Sequence, residues 1–123
     1  MVQRLCIIGV GVIDRAETEL AAALSGADVV VLAIPVGAME EVLCAMVPHL
    51  STTTIVTDVG STKGSVVAAA ARAFGTVPPR FVPGHPIAGT ERSGVAASFA
   101  ELYQQRRVIL TPLAHTDPAA VTL

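Results

Sequence analysis

Short apolar runs alternate along the chain with longer segments of helical spacing or composition. The runs with the character of strands lie at residues 4–8, 28–34, 53–59, 80–82 and 107–111. The helix-like segments lie between them, at residues 16–25, 36–47, 62–74 and 94–105. Strands that alternate with helices in this way predict βαβ units. The expected fold is therefore α/β, with a doubly wound, mostly parallel sheet that carries helices on both faces.

The chain length of 123 residues suits a single domain, which we assign to residues 1–115. The sequence Thr116-Asp117-Pro118 has the features of a helix start, with a proline in the first turn. Residues 116–123 are therefore expected to begin a further helical region that is cut short.

The composition excludes several classes of function. A hydrophobic content of 52 % with 15 % charged residues excludes disorder, and a net charge of −2 offers no basic surface for nucleic acid. The longest apolar stretch, residues 29–37, is far below the roughly 20 residues that span a bilayer. Cys6 and Cys44 lack metal-like spacing and are expected to be buried, reduced thiols. We therefore expect a cytoplasmic protein without nucleic-acid or membrane partners.

The first strand is followed by half of a dinucleotide-binding fingerprint. Gly9 and Gly11 would allow a tight turn close to a pyrophosphate, but Asp14 stands where the third glycine of G-x-G-x-x-G belongs. Glu17 would present a carboxylate at the helix start, where a phosphate should bind. A glycine turn without a ligand is an equally good interpretation. Asp28 begins its strand instead of ending it, so it is not expected to bind a ribose.

Ligands of parallel sheets bind at the carboxyl ends of the strands, so the residues after the next two strands are candidates. Pro35 and Val36 follow the second strand, where proline ends the strand and starts a helix, or lines a cofactor crevice. Gly60 and Ser61 follow the third strand, and Ser61 is also a plausible N-cap. Lys63 lacks the spacing of a P-loop lysine.

A histidine follows the fourth strand at the same edge. His85 lies between Gly84 and Pro86, and an imidazole suits general acid–base chemistry near neutral pH. An isolated histidine is more often structural or simply exposed, and we interpret His49 and His115 in that way.

Several stretches of the sequence resemble the prephenate and arogenate dehydrogenases of tyrosine biosynthesis. They are GVIDRAETEL, GADVVVLAIPVGAMEEVL, TIVTDVGSTKGSVV, GHPIAGTERSGV and RRVILTP. The resemblance covers residues 11–117 and the first strand. Its most specific part is residues 84–94, because related nicotinamide dehydrogenases share the glycine turn but not HPIAGTE. It implies a Rossmann-like domain in a shortened form.

The resemblance also implies a reaction, the NAD(P)-dependent oxidative decarboxylation of prephenate or arogenate. A hydride leaves the ring carbon that bears the hydroxyl, and loss of carbon dioxide makes the ring aromatic. His85 would bond to the substrate hydroxyl and assist its deprotonation, and Ser61 would orient His85 or the nicotinamide. The substrate-binding residues that it implies are Ser61, Thr90 and Glu91. The cofactor-binding residues that it implies are Gly9, Gly11, Pro35, Val36, Gly60 and Ser61. No metal is implied.

The sequence departs from the family in two places. A fingerprint helix and an acid-bearing second strand, together about 20–30 residues, are missing after the first glycines. The helical C-terminal domain, which completes the substrate site and forms the homodimer, is also missing. We therefore expect weak or no turnover by this chain alone. The strand at 28–34 should lie beside the first strand, whose other edge would be open to partner pairing or aggregation.

Two alternatives to this enzyme remain. The chain could be a non-catalytic binding or assembly module derived from the domain, or another nicotinamide-dependent dehydrogenase that acts on a small acid. The sequence does not distinguish NAD from NADP, because the segment that reads the 2′ position is missing. It does not distinguish prephenate from arogenate either.

Overall fold

The computed structural model describes residues 4–9, 14–89, 99 and 101–122, which form an α/β fold. The strands are β1 (Leu5–Gly9), β2 (Val29–Ala33), β3 (Ile55–Asp58), β4 (Phe81–Val82), β5 (Gly84–Pro86) and β6 (Val108–Leu110). The α-helices are α1 (Leu20–Leu24), α2 (Met39–Met46), α3 (Lys63–Phe74) and α4 (Pro118–Val121). Single 3₁₀ turns precede and follow α2, at Val36–Ala38 and Val47–His49.

The main sheet has four parallel strands in the order β1-β2-β3-β4. The register pairs Leu5 with Val29, and Val29 with Ile55. The predicted parallel sheet is confirmed, as is the position of the strand at 28–34 beside the first strand. This arrangement brings the carboxyl ends of β1, β2 and β3 to one edge of the sheet.

The hydrophobic core lies between this sheet and the helices α1, α2 and α3. Leu24, Leu43 and Val66, one from each helix, pack in a single cluster with Val30 and Val56 of the sheet. These strand residues are buried because β2 and β3 lie inside the sheet, which the continuous apolar run at 28–34 predicts.

The opposite face of the sheet carries one short helix. Ala120 and Val121 of α4 pack against Ile55 and Val82, whose side chains point away from the main core. The predicted helix start is confirmed, since the side chain of Asp117 caps α4 by accepting from the N–H of Ala119 at 2.9 Å. Of the described helices, α1, α2 and α3 therefore lie on one face and α4 lies on the other.

The helix α1 is shorter than the predicted segment at 16–25. Before it, the Glu17 carboxylate accepts from the backbone N–H groups of Thr18 (3.0 Å) and Glu19 (3.1 Å). These N–H groups are satisfied outside a helix, so α1 begins only at Leu20. Gly26, with a φ of 70°, then leads the chain toward β2.

The predicted fifth strand forms, but outside the main sheet. β6 pairs antiparallel with β5 in a separate two-stranded ribbon, with His85 opposite Ile109. The helix predicted at 94–105 is wrong at its described end, because residues 101–105 form turns. Hydrogen bonds three residues apart and a positive φ of 55° at Gln105 reverse the chain there instead. Residues 90–98 and 100 lie outside the described part.

Among the described residues, β1 pairs with β2 alone and is an edge strand. Leu5 and Ile7 are 55 % and 38 % exposed on it. Partner pairing at this edge stays a prediction. Within the same described ranges, no helix is long and apolar enough to cross a bilayer.

The two cysteines are free, as predicted, but they are not both buried. Cys6 is half-buried against the main core, whereas Cys44 is exposed on α2. Burial raises the pKa of the Cys6 thiol above its ordinary value, and the neighbouring Arg4 guanidinium opposes this effect without cancelling it.

We expect iodoacetamide to alkylate Cys6 more slowly than Cys44 at mildly alkaline pH. The thiolate is the reacting species, and both the raised pKa and the burial of Cys6 reduce its availability. Mass spectrometry of the two cysteine peptides over time measures the difference, which should disappear in concentrated urea. Equal rates in the folded protein would contradict the prediction.

Candidate active site at the carboxyl ends of the strands

Three of the predicted ligand-binding segments meet at one edge of the sheet. Gly9 at the end of β1 is in register with Ala33 at the end of β2, and Leu32 is in register with Asp58 at the end of β3. The segments that follow β2 and β3 also touch, because a Cβ added to Gly60 would lie 3.1 Å from Cγ2 of Val36.

Asp58 is the buried polar centre of this edge. Its side chain is fully enclosed and accepts hydrogen bonds from the N–H of Gly60 at 2.8 Å and the N–H of Gly84 at 3.1 Å. A carboxylate removed from water needs such partners, and backbone N–H groups are strong ones. The Asp58 carboxylate thus joins the loop after β3 to the start of β5.

Lys63 supplies the positive charge that Asp58 requires. It is the first residue of α3, and its ammonium group donates to the Asp58 carboxylate and to the carbonyl oxygen of Gly84. Its side chain is 19 % exposed, so the ion pair is largely withdrawn from solvent. Both polar backbone groups of Gly84 are consequently bound by this pair.

His85 lies directly after the residue that the ion pair holds. It is half-buried in the middle of β5, and its Nδ1 atom is buried with no hydrogen-bond partner among the described residues. A buried polar atom without a partner is rare in folded proteins and is typical of a site that a ligand completes. Close packing fixes the adjoining backbone, since a Cβ on Gly84 would lie 3.1 Å from the Asp58 carbonyl oxygen.

Ser61 is exposed at the same edge, one residue beyond Gly60. It is not the N-cap of α3, because Thr62 occupies that position and makes no capping hydrogen bond through its side chain. The predicted capping role was therefore wrong, and the Ser61 hydroxyl is free of that constraint. Ser61 and His85 each follow a residue whose N–H is bound by Asp58.

Some of the remaining predicted site residues lie in the described part of the chain and others do not. Pro35 is exposed and Val36 half-buried at the turn after β2, and Gly9 ends β1. Gly11, Thr90 and Glu91 lie outside the described residues, so their predicted roles stay predictions.

Asp58 was not predicted as a site residue from the sequence, and no role was predicted for Lys63. The signal was a carboxylate at the end of an apolar strand, five residues before a lysine. A charge in such a position is buried and must be paired, which indicates the lysine as its partner.

Among the described residues, the edge at His85 offers a dinucleotide a hydrogen-bonding position, whereas the start of α1 does not. The unsatisfied Nδ1 of His85 is a hydrogen-bonding position for a polar group bound beside the ends of the strands. At α1, in contrast, the Glu17 carboxylate already binds the backbone N–H groups that precede the helix. Within the described ranges, no group of three or more His, Cys, Asp or Glu residues could hold a metal.

Replacing Gly60 by Ala is expected to lower the free energy of unfolding by about 1–3 kcal/mol. The new Cβ would lie 2.9 Å from Oδ2 of Asp58 and 3.1 Å from Cγ2 of both Val36 and Val66. Asp58 cannot move away, because its hydrogen bonds hold it in place. Urea unfolding followed by circular dichroism measures the loss.

Gly64→Ala is the matched control for this prediction. Gly64 is exposed in the first turn of α3, and a Cβ added there would meet nothing within 4 Å. This variant should be as stable as the original chain or more stable, by up to about 1 kcal/mol. Equal losses in the two variants would contradict the packing explanation.

The chain matches a family model described as the nucleotide-binding domain of prephenate dehydrogenase, over residues 5–123. It is 43 % identical over 109 residues to the cyclohexadienyl dehydrogenase of Zymomonas mobilis, which covers 88 % of the chain and 36 % of that protein. It is 37 % identical to the prephenate dehydrogenase of Bacillus subtilis, covering 97 % of the chain and 32 % of that protein.

Two solved structures of dehydrogenases are also similar to the chain. Prephenate dehydrogenase from Aquifex aeolicus, in complex with hydroxyphenyl propionate and NAD+, matches with a TM-score of 0.74 at 40 % identity, covering 89 % of the chain and 37 % of that protein. Arogenate dehydrogenase from Synechocystis matches with a TM-score of 0.75 at 33 % identity, with the same coverage. The chain spans about a third of the length of the curated relatives that it matches. It belongs to the family of prephenate dehydrogenase nucleotide-binding domains.

Proposed function

We propose that this chain is the nucleotide-binding part of an oxidoreductase that carries out the NAD(P)-dependent oxidative decarboxylation of prephenate or arogenate. The observation that carries the proposal is His85, whose buried Nδ1 has no partner among the described residues, at the ligand-binding edge of a domain of this family. Relatives named for prephenate, cyclohexadienyl and arogenate dehydrogenase activity support the substrate class.

In the proposed reaction, the bound nicotinamide supplies the acceptor for the hydride. His85 accepts a hydrogen bond from the substrate hydroxyl and assists its deprotonation as the carbonyl forms. Ser61, exposed one residue beyond the bound N–H of Gly60, donates to the same region and orients the imidazole or the nicotinamide. We further propose that Thr90 and Glu91 lie beside the substrate.

We assign NAD or NADP to the edge formed by the ends of β1, β2 and β3. The proposed contacts are Gly9, Gly11, Pro35, Val36, Gly60 and Ser61. NAD+ is present in the Aquifex aeolicus structure that the chain resembles, which supports a nicotinamide cofactor at this edge.

Assembly and location are part of the same proposal. A cytoplasmic location agrees with the two free cysteines. A homodimer of the complete protein agrees with the family of dehydrogenases to which the chain belongs. The net charge of −2 supports a small-molecule partner in place of nucleic acid or a membrane surface.

One observation favours a second candidate, a non-catalytic binding or assembly module. The Glu17 carboxylate binds the N–H groups of Thr18 and Glu19 just ahead of α1, the helix that follows the glycine turn in this chain, so these groups are occupied and do not bind a phosphate. A chain of this kind would keep the fold of the domain and bind no nucleotide.

Calorimetric titration with NAD+ and with NADP+ separates the two candidates. The dehydrogenase proposal predicts saturable binding of at least one nucleotide, and the assembly proposal predicts no heat of binding with either. Val36→Asp should weaken nucleotide binding at least about tenfold, because it places a negative charge at a proposed contact of an anionic cofactor. Val47→Asp, at the exposed 3₁₀ turn after α2, makes the same change at the opposite end of the sheet and should leave binding unchanged.

A further inference from the structure

The ion pair between Asp58 and Lys63 binds both sides of the residue before His85. Asp58 accepts from the N–H of Gly84 at 3.1 Å, and the Lys63 ammonium donates to the Gly84 carbonyl oxygen. That carbonyl belongs to the peptide group that joins Gly84 to His85. The ion pair therefore fixes the orientation of the peptide plane that precedes the histidine.

The same carboxylate binds the loop that carries Ser61. It accepts from the N–H of Gly60 at 2.8 Å, and Lys63 follows Ser61 by two residues at the start of α3. One buried ion pair therefore contacts the backbone next to each of the two residues proposed to act on the substrate.

The backbone of β5 has little other polar attachment to the main sheet. β5 pairs with β6, and its neighbouring residues also bond in that direction, from Ile87 to Arg107 and from Thr111 to Pro83. Among the described residues, the hydrogen bonds that tie β5 to the end of β3 are those of Gly84 with the ion pair. The ion pair is thus the polar link between β5 and the end of β3, in addition to the covalent connection through Pro83 to β4.

The ion pairs of Arg72, in α3, and of Arg80, the residue before β4, have a different character. Arg72 bonds Glu40 at 2.7 Å between two well-exposed side chains, and Arg80 bonds Asp117 at 3.2 Å with both side chains about one-third exposed. Neither pair contacts the backbone beside Ser61 or His85. Arg72 lies on the same helix as Lys63 and provides a matched control.

We propose that Asp58 and Lys63 are positioning residues that set the distance and orientation of His85 relative to Ser61. The inference rests on the proposed function of those two residues. It adds that the separation between them is fixed by an ion pair which itself touches neither the substrate nor the cofactor. A misplacement of about 1 Å at a reacting group can lower the rate about 100-fold.

The test compares Lys63→Met with Arg72→Met by NMR of the isotopically labelled 123-residue chain. His85→Asn assigns the His85 ring signals. In Lys63→Met we expect the His85 ring and the amides of Gly84 and Gly60 to shift, while the rings of His49 and His115 stay in place. Arg72→Met should move none of these signals. Lys63→Arg, which keeps a positive donor, should restore the His85 ring signals at least in part.

Function is measured separately with the same substitutions in the complete protein. Lys63→Met should lower prephenate turnover about 10- to 100-fold at saturating substrates, with NAD+ binding in calorimetry weakened by a much smaller factor. A merely structural role would lower both together. Should Lys63→Met fail to fold, Lys63→Gln keeps a polar donor and allows the same NMR comparison.

A folded Lys63→Met or Lys63→Gln variant with unmoved His85 and Gly84 signals overturns the inference. A failure of the proposed function would give different results in the turnover and binding measurements. Full turnover in His85→Asn, or no nucleotide binding by the original chain, would remove the proposed reaction while the NMR comparison still decided whether the ion pair positions His85.

Discussion

Replacing Asp58 by Asn is expected to lower the free energy of unfolding by about 3–5 kcal/mol. The Asp58 side chain is fully buried and accepts from Gly60, Gly84 and Lys63. An amide has one acceptor oxygen and presents an NH₂ group on the other side, so one of the two backbone N–H groups loses its acceptor. The substitution also leaves the largely enclosed Lys63 ammonium without its countercharge. Both effects act on the folded state and reinforce each other.

Urea unfolding followed by far-ultraviolet circular dichroism measures this loss, and it suits a chain without tryptophan. Glu40→Gln is the matched control, because it removes one carboxylate charge from the exposed ion pair with Arg72. That variant should change stability by less than about 1 kcal/mol. A loss for Asp58→Asn no larger than for Glu40→Gln would show that the buried carboxylate is not the stabilising centre described above.

Replacing His85 by Asn in the complete protein is expected to lower turnover of prephenate or arogenate with NAD(P)+ by about 10²–10⁴-fold. The amide keeps a polar side chain of similar reach, but it cannot take up the proton released from the substrate hydroxyl. Stability should change little, since the buried Nδ1 of His85 makes no hydrogen bond to a described residue. Reduced nicotinamide formed during long incubations measures the rate, so that weak turnover is also quantified.

His49→Asn is the control for this substitution. His49 is exposed in the 3₁₀ turn after α2, at the end of the sheet opposite to the candidate site. It should turn over substrate at the original rate. An undiminished rate in His85→Asn, or equal losses in both variants, would remove His85 from the chemistry.

The parts of the fold that could be predicted are those set by local pattern. The continuous apolar run at 28–34 predicts a strand covered on both faces, and Val30 and Leu32 are fully buried in β2. The sequence Asp117-Pro118 predicts a helix start because cap and first-turn proline are both local signals, and α4 begins there.

The parts that could not be predicted depend on contacts between distant residues. The run at 108–110 has the composition of a strand, but nothing in it specifies the antiparallel pairing with β5. The position of Asp58 at the end of a strand was visible in the sequence. Its hydrogen bond from the N–H of Gly84, 26 residues later, was not visible. That bond forms only when the fold brings β5 next to the end of β3. The site is for this reason less predictable than the sheet that supports it.

β5 and β6 form a ribbon of their own, which Gly84 and its ion pair connect to the end of the main sheet. His85 sits on a ribbon of two three-residue strands, and the side chains of β6 are all exposed. Such a ribbon opens by local unfolding at a lower free energy than the four-stranded sheet. Hydrogen–deuterium exchange should therefore be faster at His85 and Ile109 than at Val30 and Val56. Such an opening would break the bonds of Gly84 to Asp58 and Lys63 and displace the histidine, while the hydrophobic core of the domain stays closed.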